Sequence, residues 1–391
     1  MVLGRQAFLA LLAAWALVLG PGAGSAAAKL VAPGVGPVGL DRVECPTARQ
    51  CTAAATGYSD TKAYGQVVTY DPRTNRVNRA GARQLFPVGY HLSDLACPSV
   101  GQCYVLDGNE LVPFNPRTGR RNGRTRGPLV GPRVPTITSP VFDGLACPSV
   151  RQCSASGAGY SPEGDPFDAE LTFDPRTGRR RAGGLKAFDQ FGSSLEDIVC
   201  PSTRECVVNG DAHHLQIERD AHDLQIAFDP RSAFDPRRGR RLGTVSFSFK
   251  FEGVVGGPVC PSDGQCTSLV FPGRGQHPAL EYTADPRRSH DGLFAGVFDP
   301  TPPGAKPLHR VDLVSLDCPT TMQCTVVDRA GGETTFVPRS GRLIRARRTI
   351  QRPAKGITQP TVACPTTTQC TVVTGASEVS FNPLRRMRRT G

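Results

Sequence analysis

Hydrophobic positions in this chain come in short bursts between turn residues. Leu92 to Cys97, Cys103 to Leu106 and Glu110 to Phe114 follow one another closely, separated by Pro98 to Gln102 and by Asp107-Gly108. Bursts this short, punctuated by Pro, Gly, Asn and Asp, predict β-strands. Asn115-Pro116-Arg117-Thr118-Gly119 then predicts a turn, because the proline ring presets φ and the Asn side chain caps the turn amides. A weaker fourth strand follows. The cycle recurs where Leu171-Thr172-Phe173 runs into Asp174-Pro175-Arg176-Thr177-Gly178, and where Tyr70 runs into Asp71-Pro72-Arg73-Thr74. The last cycle has Thr361 to Cys364, Cys370 to Val373 and Glu378 to Phe381, then Leu384-Arg385-Arg386-Met387-Arg388-Arg389, with no clear fourth strand. Leu30 and Val31 could supply it, so the segment at about 30–40 is expected to complete the last unit.

Cysteine spacing fixes the period. The 14 cysteines form seven pairs: Cys45/Cys51, Cys97/Cys103, Cys147/Cys153, Cys200/Cys206, Cys260/Cys266, Cys318/Cys324 and Cys364/Cys370. Proline follows the first cysteine each time, then Ser or Thr. Gln precedes the second cysteine in six pairs, and Glu205 takes that place in the fourth. First cysteines are 52, 50, 53, 60, 58 and 46 residues apart. A period near 50 means a repeat architecture. One four-stranded sheet of that size cannot bury both faces, whereas seven packed in a ring can. The expected fold is all-β: a single seven-bladed β-propeller over 29–391, with four-stranded antiparallel blades and one intra-blade disulfide each. A stacked solenoid and a pair of sandwiches are the alternatives. Cysteines flanking such a turn can approach to a Cα separation of about 5.5 Å. Redox and zinc sites use tighter spacings, so the disulfides read as structural.

The N-terminus adds a compartment. Arg5, the apolar run Ala7 to Gly20 and Ala26-Ala27-Ala28 before Lys29 have the form of an export signal over residues 1–28. The run is shorter than the roughly 20 residues a membrane span needs. A secreted, extracellular protein without a transmembrane segment is expected, and oxidising surroundings suit the cysteines.

Composition sharpens the picture of the surface. Gly (43) and Pro (35) are abundant, as many tight turns require, and the formal net charge is +12. Six lysines among 46 basic residues leave 40 arginines, a skew that high-GC coding also produces. Basic clusters follow the Pro-Arg turns: Arg120-Arg121, Arg179-Arg180-Arg181, and Arg237-Arg238 with Arg240-Arg241. In a four-stranded meander the first and third turns emerge on one side, so cysteine turns and arginine turns should share a face. Arg120, Arg121, Arg179, Arg180, Arg237 and Arg240 are the candidate anion-binding residues, since guanidinium matches carboxylate and phosphate bidentately. Solvated charged turns are the plainer reading. In the fourth repeat Ala212-His213-His214-Leu215-Gln216-Ile217 is echoed by Ala221-His222-Asp223-Leu224-Gln225-Ile226. Asp211, His213, His222 and Asp223 could ligate a divalent ion, but duplication already explains the histidines, and no metal or other cofactor is assigned.

The chain has no G-x-S-x-G, H-E-x-x-H, P-loop or EF-hand loop, so no catalytic residue is assigned. The C-P-[ST]-x-x-[QE]-C repeats over about 40–383 resemble those of secreted bacterial β-propellers whose blades carry such a hairpin. Sialidase boxes and WD or kelch signatures are missing. The D-x-x-T-G turn is similar to that of quinoprotein blades, but the docking tryptophan is not: Trp15 lies in the export signal. The resemblance implies a β-propeller and leaves function open. A binding or scaffold module for a protein, glycan or anionic cell-surface polymer is the leading expectation. An extracellular hydrolase or lyase with a channel-mouth site and a structural envelope component are the alternatives. The first of these requires carboxylates or histidines with shifted pKa values from several blades at one mouth. Nucleic acid is not the expected partner, and a monomer is the expected state.

Overall fold

The computed structural model describes residues 28–29, 39–58, 63–88, 92–123, 129, 138–160, 166–187, 194–211, 228–237, 240–247, 253–254, 258–271, 279–285, 287, 294–298, 313–350, 359–375 and 377–385. The described residues contain strands and turns and no helix. They form seven antiparallel sheets, one per cysteine repeat. Blade one is Gly39–Thr47, Gln50–Tyr58, Ala63–Asp71 and Arg76–Val88. Blades three, four and six repeat that four-strand order.

The first strand of each blade lies innermost. Each one packs against the first strand of the next blade, and Thr361–Thr366 of blade seven packs against Gly39–Thr47 of blade one. The ring is therefore closed. Three contacts mark the closure. The Leu40 amide donates to the Gly375 carbonyl at 2.7 Å. The Thr371 hydroxyl lies 3.9 Å from the Cys51 sulfur. Ala363 and Val373 share one apolar cluster with Leu40, Val43 and Tyr70. A hydroxyl meets the next blade's disulfide elsewhere too, Thr52 at Cys103 and Ser154 at Cys206.

All seven disulfides are formed within their own blades, and no cysteine is free. Their Cα separations are 4.0–4.1 Å, closer than the expected 5.5 Å. The cause is local. The strands continue into the presumed five-residue turn, so that Thr47 pairs with Gln50 around a two-residue bend. A register shift between Glu44 and Thr47 absorbs Cys45 and Pro46. Proline has no amide to donate, so it is tolerated at a bulge where a regular ladder position would lose a bond.

In six of the seven blades the second cysteine stands opposite an aromatic residue on the third strand. The pairs are Cys51–Tyr70, Cys103–Phe114, Cys153–Phe173, Cys206–Phe234, Cys324–Phe336 and Cys370–Phe381, with Ala284 opposite Cys266 in blade five. Tyr70, Phe114, Phe173 and Phe336 are fully buried. Burial of each such ring stabilises by roughly 1.5–3 kcal/mol. Aromatic residue and disulfide together fill the space between blades without any tryptophan.

Two blades depart from the four-strand expectation, and blade seven takes its fourth strand from the N-terminal side. Blade two has three strands among the described residues, Asp94–Ser99, Gln102–Asp107 and Glu110–Phe114, with one further bridge from Phe114 to Arg121. In blade five the inner strand is split into Gly253–Val254 and Val259–Ser262, both paired to Gln265–Phe271. Residues 255–257 between them lie outside the described residues. In blade seven Ala28–Lys29 pairs with Glu378 and Ser377 as the fourth strand. Leu30 and Val31, proposed from sequence for that role, lie outside the described residues. The expected cleavage point after Ala28 falls inside this short strand.

Candidate functional site: an arginine face and an acidic channel

Four of the Pro-Arg turns are built in the same way. The side chain before the proline accepts the amide two residues on: Asp71 from Arg73, Asn115 from Arg117, Asp174 from Arg176 and Asp285 from Arg287, all at 2.9–3.0 Å. The turn ends in a left-handed residue, Gly119 at φ 63° or Gly178 at φ 71°, with Asn75 at φ 54° in blade one. That geometry is a type I turn closed by a bulge. It opens the fourth strand on the following arginines, with Arg179 paired to Asp174 and Arg240 to Asp235.

Contacts with the cysteine turns show that both turns share one face. Arg181 donates to the Arg151 carbonyl at 2.9 Å. Arg237 donates to the Thr203 hydroxyl at 2.8 Å. Asn122 reaches the Gly101 carbonyl at 3.4 Å. Among the candidates, Arg120, Arg121, Arg179 and Arg237 are exposed and Arg180 is half-buried; of Arg240 only the backbone is described, at the start of Arg240–Phe247. Arg49, Arg151 and Arg204 add exposed guanidiniums from the cysteine turns. The candidate metal ligands His213, His222 and Asp223 lie outside the described residues, as does the side chain of Asp211. No group of three or more metal-ligating side chains occurs among the described residues.

The channel has the opposite sign. Positions one and three before the first cysteine alternate onto the same side of each inner strand. There they place Arg42 and Glu44 from blade one, Asp94 from blade two, Asp197 from blade four, and Ser315 and Asp317 from blade six. Asp143 stands nearby, four residues before Cys147. Two of these acids join blades. Asp94 accepts the amides of Leu95 at 2.8 Å and of Leu145 in blade three at 2.7 Å, and Arg42 of blade one sits 3.3 Å from it. Asp317 accepts the amides of Cys318 and of Cys364 in blade seven. Inner-strand edges expose unpaired amides, and these carboxylates satisfy them.

Crowding shifts the acids upward. Burial pushes Asp94 up to about 6 against the pull of Arg42 and two amides. Burial likewise takes Asp317 to about 6. Asp143 and Asp197 are raised by burial, with Arg42 opposing. Glu44 is exposed along the channel yet enclosed by the wall around it. That enclosure, then the charges of Asp94 and Asp317, pushes it up to about 8. All five acids are thus raised, and Glu44 is the one held protonated at pH 7.

Two further constellations went unread in the sequence. In four blades the Gln before the second cysteine is a clamp between blades. Its amide donates to the carbonyl three residues beyond the next blade's first cysteine: Gln50 to Val100 and Gln152 to Thr203 at 3.0 Å, Gln265 to Thr321 and Gln323 to Thr367 at 2.9 Å. The second is a buried glutamate two residues before a third-strand hydroxyl. Glu170, Glu281, Glu333 and Glu378 are at most 1% exposed and accept from Thr172, Thr283, Thr335 and Ser380. The signal was present as E-x-[ST] in four repeats. Alternation through the inner strands would likewise have revealed the channel acids.

Fold and site together define a disulfide-stapled β-propeller with a basic face and an acidic channel. The chain is similar to the WD40 β-propeller domain of Doa1 at a TM-score of 0.55 and 11% identity, covering 93% of this chain and 98% of that one. It is also similar to YCF48 from Cyanidioschyzon merolae at a TM-score of 0.53 and 9% identity, covering 93% and 100%. No protein-family model and no curated protein matches the sequence. At these identities the likeness concerns the fold alone. None of the described residues forms a helix long and apolar enough to cross a membrane.

Proposed function

We propose that the protein is an exported, rigid binding module whose arginine face takes an anionic polymer at the cell exterior. The observation that carries this reading is the convergence of cysteine turns and Pro-Arg turns on one face, with exposed guanidiniums from both. A disulfide in every blade holds that face stiff, so little ordering entropy is lost on binding. The disulfides also suit an oxidising compartment. Several turn arginines pair with their own Asp, as Arg73 does with Asp71 and Arg176 with Asp174. Arg120 and Arg179, on the far side of the turns, are better placed to reach outward. Replacing both, Arg120→Gln with Arg179→Gln, should weaken polyphosphate binding in a fluorescence anisotropy titration, while melting is unchanged. Unchanged affinity would refute the assignment of this face.

The channel supports a second reading, an extracellular hydrolase with Glu44 as proton donor. An acid held protonated beside ionisable neighbours is what general acid catalysis at neutral pH requires. Glu44→Gln abolishing turnover of a glycan or ester panel would support it, and a panel with no turnover at all would remove it.

A further inference from the structure

Blade four replaces the clamp residue. Glu205 stands where six other blades have Gln, 2% exposed and at the seam with blade five. The next blade offers the same acceptor, the backbone carbonyl of Asp263, three residues past Cys260. An ionised carboxylate has no proton to donate there, whereas a protonated one has the single donor that the Gln amide supplies in blades one, three, five and six. Instead Arg287 reaches back from the Pro-Arg turn of blade five to lie 3.4 Å from Glu205 Oε2, while also contacting Asp285 at 3.3 Å. Glu205 Oε1 is buried without a partner.

The charges facing this residue come from two elements of blade five. Its cysteine turn brings Asp263, and its Pro-Arg turn brings Asp285 and Arg287. Arg237 of blade four is engaged by the neighbouring Thr203 hydroxyl. One guanidinium, half-exposed and shared with Asp285, therefore faces three carboxylates when Glu205 is ionised. Burial, opposed by Arg287 and reinforced by Asp263 and Asp285, places Glu205 at about 7.

We infer that the seam between blades four and five is a pH-responsive joint, clamped when Glu205 is protonated and loosened when it ionises. Its sign follows from linkage. The native state holds this proton more tightly than the unfolded chain does. Stability from the group is therefore full below the unfolded value near 4.5 and is lost as pH rises through about 7. The other blades, with Gln, have no such dependence at this position.

The test is Glu205→Gln, which installs the clamp used elsewhere, measured by thermal unfolding from pH 5 to pH 8 against the parent. The variant should melt about 2 °C higher at pH 8, and the difference should shrink towards pH 5. Hydrogen exchange at the amides of 263–266 should slow in the variant at pH 8 and not at pH 5. Other acids titrate in the same range, but they are common to both proteins and cancel in the difference. A variant less stable than the parent at pH 8 would show that the Glu205–Arg287 pair is the native clamp, which overturns the inference. A difference independent of pH would overturn it as well.

Discussion

Blade six has lost the Asp or Asn that caps the Pro-Arg turn: its turn reads Val337-Pro338-Arg339-Ser340-Gly341. Arg339 adopts φ 72°, a left-handed conformation that costs a non-glycine residue about 1–3 kcal/mol. The missing carboxylate comes from the preceding blade. Glu281, fully buried on the third strand of blade five, accepts the Arg339 amide at 2.7 Å and the Gly341 amide as well. A hydrogen bond to a charged group contributes about 1.5–3 kcal/mol. Burial of the carboxylate, which raises its pKa, offsets part of that. Glu281→Leu should therefore destabilise by about 2 kcal/mol, taking the turn amides as partly rescued by water. With unfolding entropy near 2.1 cal/mol/K per residue, that is a melting shift of about 2–3 °C. Val337→Asp should restore the local cap found in blades one, three and five and make the borrowed one dispensable. In that background Glu281→Leu should cost at least ~1 kcal/mol less. The assay is a double-mutant cycle by urea unfolding followed by circular dichroism. Additivity of the two substitutions within about 0.3–0.5 kcal/mol would refute cap sharing between blades.

Two further outcomes are expected. Replacing one disulfide, Cys147→Ser with Cys153→Ser, should cost about 2.4 kcal/mol on the chain-entropy account of a seven-residue loop. Full reduction, at about 2.4 kcal/mol for each of the seven loops, should exceed the roughly 5–15 kcal/mol that typically separates folded from unfolded states and so unfold the ring; a reduced protein with unchanged melting would contradict this. The channel acids Glu44, Asp94 and Asp317 hold protons more tightly when folded, so stability should fall as pH rises from about 4, above the unfolded values, through about 8. Glu44→Gln should flatten the last part of that fall in melting curves between pH 7 and pH 9, and a curve identical to the parent's would contradict the position given to Glu44.

The fold was legible because its period is written in chemistry that tolerates little substitution. A cysteine, a proline that cannot donate, and a second cysteine six residues on define a bulged hairpin by themselves, and seven copies define a ring. The Pro-Arg turns were legible for the same reason: Asp or Asn before Pro, with Gly or Asn closing, encodes a turn locally. What stayed hidden acts between blades. Gln323 repeats at a fixed place, but its acceptor on Thr367 belongs to another repeat. Asp94 looks like an ordinary strand acid until the ring places the Leu145 amide beside it. Glu281 serves a turn 58 residues away. Strand ends were misplaced for a smaller reason: pairing continues past the cysteines around a two-residue bend, where proline had suggested a longer turn.

Affinity for polyphosphate as a function of salt tests the binding role most directly. A guanidinium face that neutralises phosphates releases counterions, so log K should fall linearly with log salt concentration. The Arg120→Gln, Arg179→Gln double variant should reduce that slope by about two, one for each lost contact. Binding that is independent of salt, or a slope unchanged in the variant, would contradict the account.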